Sequence, residues 1–274
     1  MNSEPLPATL IFAAETDPAV ATLRAKMDAF YAGTESYSAF QSMSHCGNEW
    51  GHVREAINAR LQPPTKCRVL EFGAGRTGFA QFIGELRGSI HYTAHDVTPA
   101  NAEFLRTEAD AVCIGRISDL QGPFDVIFST FVLEHVSDPR QTLESLFRML
   151  NPGGVMLIFC PRYDVPFYLS HSADHYPRGR RFQIGLELVF RRLKTLLTGR
   201  PEFLIHLDPS LFTLPWSMDR DAIHWVSLFD LRALFAPRAR LRKLSVSPGS
   251  TKDWVVKHFL RVNLAIEKQG ANGQ

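Results

Sequence analysis

One ten-residue stretch, Val69–Gly78, narrows the choice of fold more than any other. It reads VLEFGAGRTG, an apolar run that breaks into a literal GxGxxG at Gly73, Gly75 and Gly78. Such a turn joins a buried strand to a helix in a βαβ unit. Its glycines let a ligand approach the backbone, and the helix amino end favours negative charge. The turn alone fits a dinucleotide as well as other nucleoside ligands. Around it, apolar runs alternate with helical periodicity. RVLEF, SIHYTAHD, AVCIG, FDVIFST and VMLIFCP read as five strands. Between them, Thr77–Leu86, Pro99–Glu108 and the segment opened by Asp138-Pro139, with Gln141 able to close a capping box, read as helices. The last carries Leu143, Leu146, Phe147 and Leu150 on one face. Strand–helix alternation with short connections predicts an α/β fold with a doubly wound, mostly parallel sheet.

Upstream, Asp17-Pro18 starts a helix with Val20, Leu23, Met27 and Phe30 at helical spacing, and Asn48 caps a second through Trp50, Val53, Ile57 and Leu61. Residues 1–62 thus read as an N-terminal helical lid segment. The alternation lapses over 161–226, rich in His, Arg, Pro and aromatics. It resumes at the Ser227–Asp230 capping box, and ARLRKLSVS and FLRVNLAIEK read as two closing strands. We read residues 63–268 as one domain, with 161–226 inserted over the carboxyl edge of its sheet. With 274 residues, 45% hydrophobic content and a net charge of +2, the chain has ordinary globular usage and room for a sizeable core, and no nucleic-acid partner is expected. Cys46, Cys67, Cys113 and Cys160 form no CxxC and are expected to be reduced thiols. No apolar run approaches the ~20 residues of a membrane span, and LPATLIFAA near the start lacks a basic flank. The expected compartment is the cytoplasm.

Glu71 decides between ligands for the glycine turn. A carboxylate two residues before the first glycine faces a pyrophosphate with like charge, at a Coulomb cost. It suits a ligand that brings an ammonium group, as the methionyl end of S-adenosylmethionine does. Arg76 in the loop points the other way, towards phosphate. Asp96, at the end of the second strand, suits ribose hydroxyls of either ligand. An NAD-dependent oxidoreductase and a non-catalytic cofactor-binding or partner-binding module are the alternatives.

VLEFGAGRTG, HDVTP, FDVIFSTFVLEHVSDP and LFRMLNPGGVMLIFCP, in that order and spacing, resemble the class I S-adenosylmethionine-dependent methyltransferases, most closely the ubiquinone/menaquinone-type and small-molecule group. The resemblance covers residues 66–161, and 227–268 more loosely. It implies a seven-stranded Rossmann-like sheet and S-adenosylmethionine as cofactor. By that resemblance Glu71, Gly73 and Gly75 hold the methionyl end, Asp96 the ribose, and Ser129 lines the cleft. The family's usual acid after the third strand is replaced here by Arg116, which leaves Ser118 or Asp119, or the backbone with Ile117 stacking, for the adenine.

Methyl transfer is an in-line displacement governed by alignment, helped by a base when the acceptor is a hydroxyl or amine. The expected acceptor is an O or N atom of a small molecule, saccharide or lipid-linked compound, met after strands four and five and by the insertion. His135 and Tyr163 are the catalytic candidates, His135 as base or cleft residue. Arg162, His171, His175, Tyr176 and His224 are candidate substrate contacts, with His206 beside them. His171 and His175 lie four apart but lack a carboxylate partner in sequence, and no metal is expected. Phe212, Trp216 and Trp225 are candidates to roof an apolar pocket. Residues 178–200 form a basic amphipathic stretch whose apolar face, Phe182, Leu186, Val189, Leu193 and Leu197, is expected to pack on the domain. The sharper reading makes that stretch a peripheral contact with an acidic head group, membrane or anionic glycan.

Overall fold

Val, Ile, Leu and Phe fill the runs around the glycine turn so completely that both faces need covering, which is the condition for a parallel sheet. A computed structural model, which describes residues 12–33, 47–165, 167–208, 211, 221–245 and 250–270, forms that sheet. Its strands are β1 (Cys67–Phe72), β2 (Ile90–Asp96), β3 (Ala111–Ile114), β4 (Phe124–Thr130), β5 (Leu150–Pro161), β6 (Ala239–Lys243) and β7 (Arg261–Lys268). Their order is β3-β2-β1-β4-β5-β7-β6, parallel except that β7 runs antiparallel to both β5 and β6. The chain reverses direction across the sheet between β1 and β4, and their carboxyl ends form the crevice where such sheets take ligands.

On one face Leu70, Phe72, Ile127 and Ile158 meet Leu143 and Phe147 of α5 (Pro139–Arg148) and Leu231 and Phe235 of α7 (Leu228–Phe235). On the other, Val69, Phe128 and Leu157 meet Val53 and Ile57 of α2 (Gly47–Asn58), Phe79 of α3 (Phe79–Ile83) and Leu105 of α4 (Ala102–Glu108). Each such side chain contributes roughly 1.5–3 kcal/mol by burial. Cys67 and Cys160 are buried and Cys113 half-buried, all as free thiols.

Several local expectations change. The helix expected over Thr77–Leu86 stops at Ile83, because Gly84 takes a φ of +51° and the chain continues as a 3-10 turn. Asp138 does not cap α5 through its side chain; it accepts a hydrogen bond from Thr142 Oγ1 (3.3 Å) and pairs with Arg24 (3.7 Å). An additional helix, α8 (Thr251–Phe259), separates the two closing strands.

The N-terminal segment and the insertion fold as one layer. Phe12–Ala13 pairs antiparallel with Ile205–His206, and Val20, Leu23 and Met27 of α1 (Pro18–Gly33) pack with Ile205, Leu207 and Ile223. Glu15 accepts the Arg140 backbone N–H at 2.9 Å, and Arg24 donates to Ser137 Oγ at 2.8 Å, fixing this layer to the start of α5.

The basic stretch forms α6 (Arg178–Thr198), but it packs the other way round from the expectation. Ile184, Gly185, Leu188, Arg192 and Thr195 are buried, whereas Phe182, Leu186, Leu193 and Leu197 face solvent. The cause is Asp230 at the start of α7. Arg192 Nη1 donates to its carboxylate at 2.6 Å, Thr195 Oγ1 at 3.2 Å, and Arg192 Nη2 reaches the Trp225 carbonyl at 3.1 Å. A buried carboxylate without a cation is costly, so this partner fixes which side of the helix turns inward.

Candidate active site

The glycine turn leaves β1 at Gly73 (φ +74°) and Gly75 (φ +57°). A Cβ on Gly73 would overlap the Val132 side chain, whereas one on Gly75 would meet nothing within 4 Å. The turn is therefore tight against the loop after β4 on one side and open on the other. Ala74 N–H donates to the His95 carbonyl (2.8 Å), and Gly75 N–H to Asp96 Oδ2 (2.6 Å), so β2 holds the turn in place. Asp96 Oδ1 accepts from Thr98 N (2.6 Å) and Oδ2 also from Asn101 Nδ2 (3.3 Å). Thr98 and Asn101 escaped the sequence reading. The legible signal was an Asp followed two residues later by Thr, the spacing of an Asx-turn.

Glu71 is 3% exposed, and both oxygens are engaged: Thr77 Oγ1 donates at 3.1 Å and the Tyr92 hydroxyl makes a short hydrogen bond. Thr77 Oγ1 also accepts from Phe79 N (3.0 Å), so Glu71 ties the strand end to the first turn of α3. Burial pushes its pKa up to about 8, with the Asp96 charge adding to the effect. Two carboxylates thus bracket the turn. Arg76 is not aimed at it, because its guanidinium lies 4.9 Å from the Phe104 ring centroid.

Further along the edge, Ile117 is half-buried in a 3-10 turn after β3, and Ser118 Oγ donates to Asp119 Oδ1 at 3.2 Å on the surface. Val97, beside Asp96, is a large apolar side chain left 49% exposed. Ser129 is buried at the end of β4. Among the buried side-chain atoms without a hydrogen-bond partner are Asn101 Oδ1, in the 3-10 turn that follows β2, and Thr130 Oγ1, at the end of β4. An open glycine backbone, flanking carboxylates and unspent polar atoms fit a polar, cation-bearing nucleoside ligand.

After β4, Phe131 adopts φ +56°, a conformation that is rare for an aromatic residue and is strained. It leads into a 3-10 turn, Leu133–His135, that brings together residues far apart in sequence. Asp221 Oδ1 lies 3.4 Å from His135 Nδ1, and Glu134 Oε1 lies 4.0 Å from its Nε2. Burial opposes a charge on His135, but Asp221 and then Glu134 outweigh it and lift its pKa to about 9. Glu134 rises to about 7 by burial, against the pull of His135. His224 sits against the same turn, its Nδ1 2.8 Å from the Leu133 carbonyl, and burial lowers its pKa to about 3.

The other candidates lie in separate groups. Tyr163 is buried beside Tyr168 and Trp225, and burial drives its hydroxyl well above the usual tyrosine range. Arg162 makes a short ion pair with Asp164, which in turn accepts from Ser227 Oγ and Leu228 N at the start of α7. His171 and His175, expected from sequence to lack carboxylate partners, each have one: His171 pairs with Asp174 (2.9 Å) in the open, and His175 with Asp208 (3.3 Å). Tyr176 hydrogen-bonds Asp208 and lies 3.4 Å from His206, whose other nitrogen meets Ser172 Oγ at 2.9 Å. Trp225 is fully buried inside this insertion core. Phe212, Trp216 and residues 37–45, which the sequence also offered as cover for the site, lie outside the described residues. Asp221, central to the His135 group, was not legible because 86 positions of sequence separate the two. A separate depression of about 770 Å³, lined by His52, Arg60, Asp125 and Gly153, opens at the opposite, amino edge of the sheet.

A family profile described as a methyltransferase domain matches residues 45–237. Among curated proteins, the chain is 38% identical to a ubiquinone biosynthesis O-methyltransferase of Caulobacter vibrioides, over 39% of this chain and 48% of that protein. It is 30% identical to the tRNA 5-carboxymethoxyuridine methyltransferase of Escherichia coli, over 40% of this chain and 43% of that protein. The chain spans about half the length of the curated relatives it matches. Among solved structures, the 1,6-didemethyltoxoflavin-N1-methyltransferase of Burkholderia thailandensis superposes with a TM-score of 0.50. That match has 14% identity and covers 97% of this chain and 98% of that one, a likeness of fold.

Proposed function

The chain belongs to the methyltransferase-domain family, and from that premise we propose that it transfers the methyl group of S-adenosylmethionine to an O or N atom of a small-molecule, saccharide or lipid-linked acceptor. The observation that carries this reading is the pair of carboxylates, Glu71 and Asp96, at the open glycine turn of the sheet's switch point. Asp96, paired with no cation among the described residues, disfavours a pyrophosphate and favours a ligand bearing ammonium and sulfonium charge, and an incoming ammonium group would draw the proton off Glu71. Family membership weighs against the oxidoreductase alternative in the same direction.

In this reading Gly73 and Gly75 leave the backbone open to the methionyl end, and Glu71 acts by fixing the turn through Thr77. Asp96 meets the ribose hydroxyls beside its backbone donors. Val97, Ile117 and Ser118 border the adenine, and Ser129 lines the cleft floor. The cofactor supplies an electrophilic methyl group, and the protein's part is alignment and exclusion of water. His135, which the sequence offered as base or cleft residue, is in this reading held protonated at neutral pH by Asp221 and Glu134 and acts as a cleft residue. It offers a cation to an anionic or carbonyl oxygen of the acceptor. Arg162, His171, His175, Tyr176 and Tyr163 shape the layer that covers the site. The likeness to a ubiquinone O-methyltransferase supports a small-molecule acceptor. The likeness to a tRNA methyltransferase has less support from this chain, whose exposed lid helix presents apolar rather than uniformly cationic surface.

Titration calorimetry with S-adenosylhomocysteine and with NAD tests the proposal. Binding of the first without the second is expected. NAD binding with no S-adenosylhomocysteine binding would sink it.

A further inference from the structure

The outer face of α6 carries a ridge of large apolar side chains in open solvent. Phe182, Leu186, Phe190, Leu193 and Leu197 recur at i, i+4, i+8, i+11 and i+15, with Phe190 69% and Leu197 87% exposed. The ridge is not the ordinary scatter of surface apolar residues, since it is continuous along the helix and lies opposite its buried side. A second segment extends it. Phe167 holds a φ of +65°, a strained conformation for an aromatic residue, while remaining 52% exposed. Its ring stacks on Phe182 (5.4 Å, 14°) and overlies Gly185, where a Cβ would fall 2.5 Å from Phe167 Cδ1. Backbone strain and a helical glycine are thus both used to display an aromatic ring outward.

The charge around the ridge is predominantly basic, although Arg192 is buried on Asp230 and Arg181 pairs with Asp174. Residues 178–200 contain seven basic side chains and one acid, Glu187. Glu187 and Glu202 are taken up by Arg191 and Lys194, whereas Arg178 and Arg200, at the two ends of the helix, make no ion pair among the described residues. An apolar ridge with cations at its borders is the form of a helix that lies in a membrane interface, the apolar side in the acyl boundary and the cations among phosphates. A second copy of the chain fits poorly, because pairing two such faces brings like charge together. None of the described helices is long and apolar enough to cross a membrane, so the contact is peripheral.

We propose that the outer face of α6, together with Phe167, seats the protein on an anionic lipid surface. The proposal goes beyond the methyl-transfer reading and stands independently of it. Flotation with vesicles of phosphatidylcholine containing about one-third phosphatidylglycerol, against vesicles of phosphatidylcholine alone, tests it. The full chain is expected to float with the anionic vesicles, with binding at least ~10-fold weaker on neutral vesicles or in high salt. A Phe190→Ser/Leu197→Ser variant should unfold at the same temperature as the parent and bind S-adenosylhomocysteine equally well. Its vesicle affinity should fall at least ~10-fold. Equal vesicle binding by variant and parent overturns the proposal, as does absence of binding by the parent. A parent dimer in sedimentation that the variant abolishes, with no vesicle binding, overturns it in favour of a protein interface.

Discussion

Asp96 and Asp230 are both buried carboxylates with several donors, yet the two regions that hold them are built on different terms. Asp96 is held by the backbone N–H groups of Gly75 and Thr98 and by Asn101, all within the local βαβ unit. No cation among the described residues pairs with it. Asp230 is neutralised inside the protein, by Arg192 on a helix almost forty positions away, with Thr195 and the Glu202 N–H completing its shell. Asp96 remains without a cation among these residues and so complements a positive ligand, with Glu71, protonated in the ligand-free protein, beside it, whereas Asp230 serves as an anchor for the lid. Internal pairing thus separates a charge kept for a ligand from one kept for the fold.

The largest effect is expected where the lid's anchor is broken. Arg192→Met should leave Asp230 buried and unpaired and destabilise the chain by ~3–5 kcal/mol in denaturant unfolding. Adding Asp230→Leu should recover most of that loss. If the single variant costs nothing, the anchor role is wrong.

Next comes the crevice itself. Gly73→Ala, which combines a positive φ with overlap on Val132, should cost about 2–4 kcal/mol and abolish measurable S-adenosylhomocysteine binding. Gly75→Ala, with a positive φ but open space, should cost only ~1 kcal/mol in stability. Equal losses at both sites would show that the contact with Val132 is irrelevant.

Glu71→Gln sharpens the comparison through pH. In the ligand-free protein a pKa raised from 4.5 to about 8 means the folded state keeps a proton that the unfolded chain has lost. The penalty is absent below about pH 4.5 and grows to its full size near pH 8. The variant should therefore gain on the parent across that window, by on the order of 2 kcal/mol in melting experiments. Parallel melting curves from pH 5 to 8 would contradict this.

The smallest expected effect concerns His135, whose raised pKa has the opposite sign. Its stabilisation is complete below about pH 6.5 and lost as pH rises through about 9. His135→Gln should cost about 1 kcal/mol at pH 6, and little above pH 9. Methyl-transfer rates that climb through pH 9 in the parent would favour a base after all.

Most of the sheet was legible because each strand's pattern is local: RVLEF, SIHYTAHD and FDVIFST carry their own burial in their composition. The Gly73–Gly75 turn was legible for the same reason, since positive φ and close backbone approach demand glycine whatever surrounds it. The interruption of α3 at Gly84 and the additional α8 were missed, because single glycines and short amphipathic turns have several solutions until neighbours choose one. The His135–Asp221 and Arg192–Asp230 pairs were beyond reach, since no local pattern links residues 86 and 38 positions apart.

By itself, the sequence determined a doubly wound α/β sheet, the glycine turn at its switch point and the two carboxylates beside it, all consequences of chemistry within a few residues. It also determined that 178–200 would hold an amphipathic stretch. Only the tertiary structure decided which side of that stretch is the inside. Periodicity marks an apolar stripe but does not state what lies opposite. Asp230, buried at the start of α7, drew Arg192 inward and turned Phe182, Leu186, Phe190, Leu193 and Leu197 out to solvent.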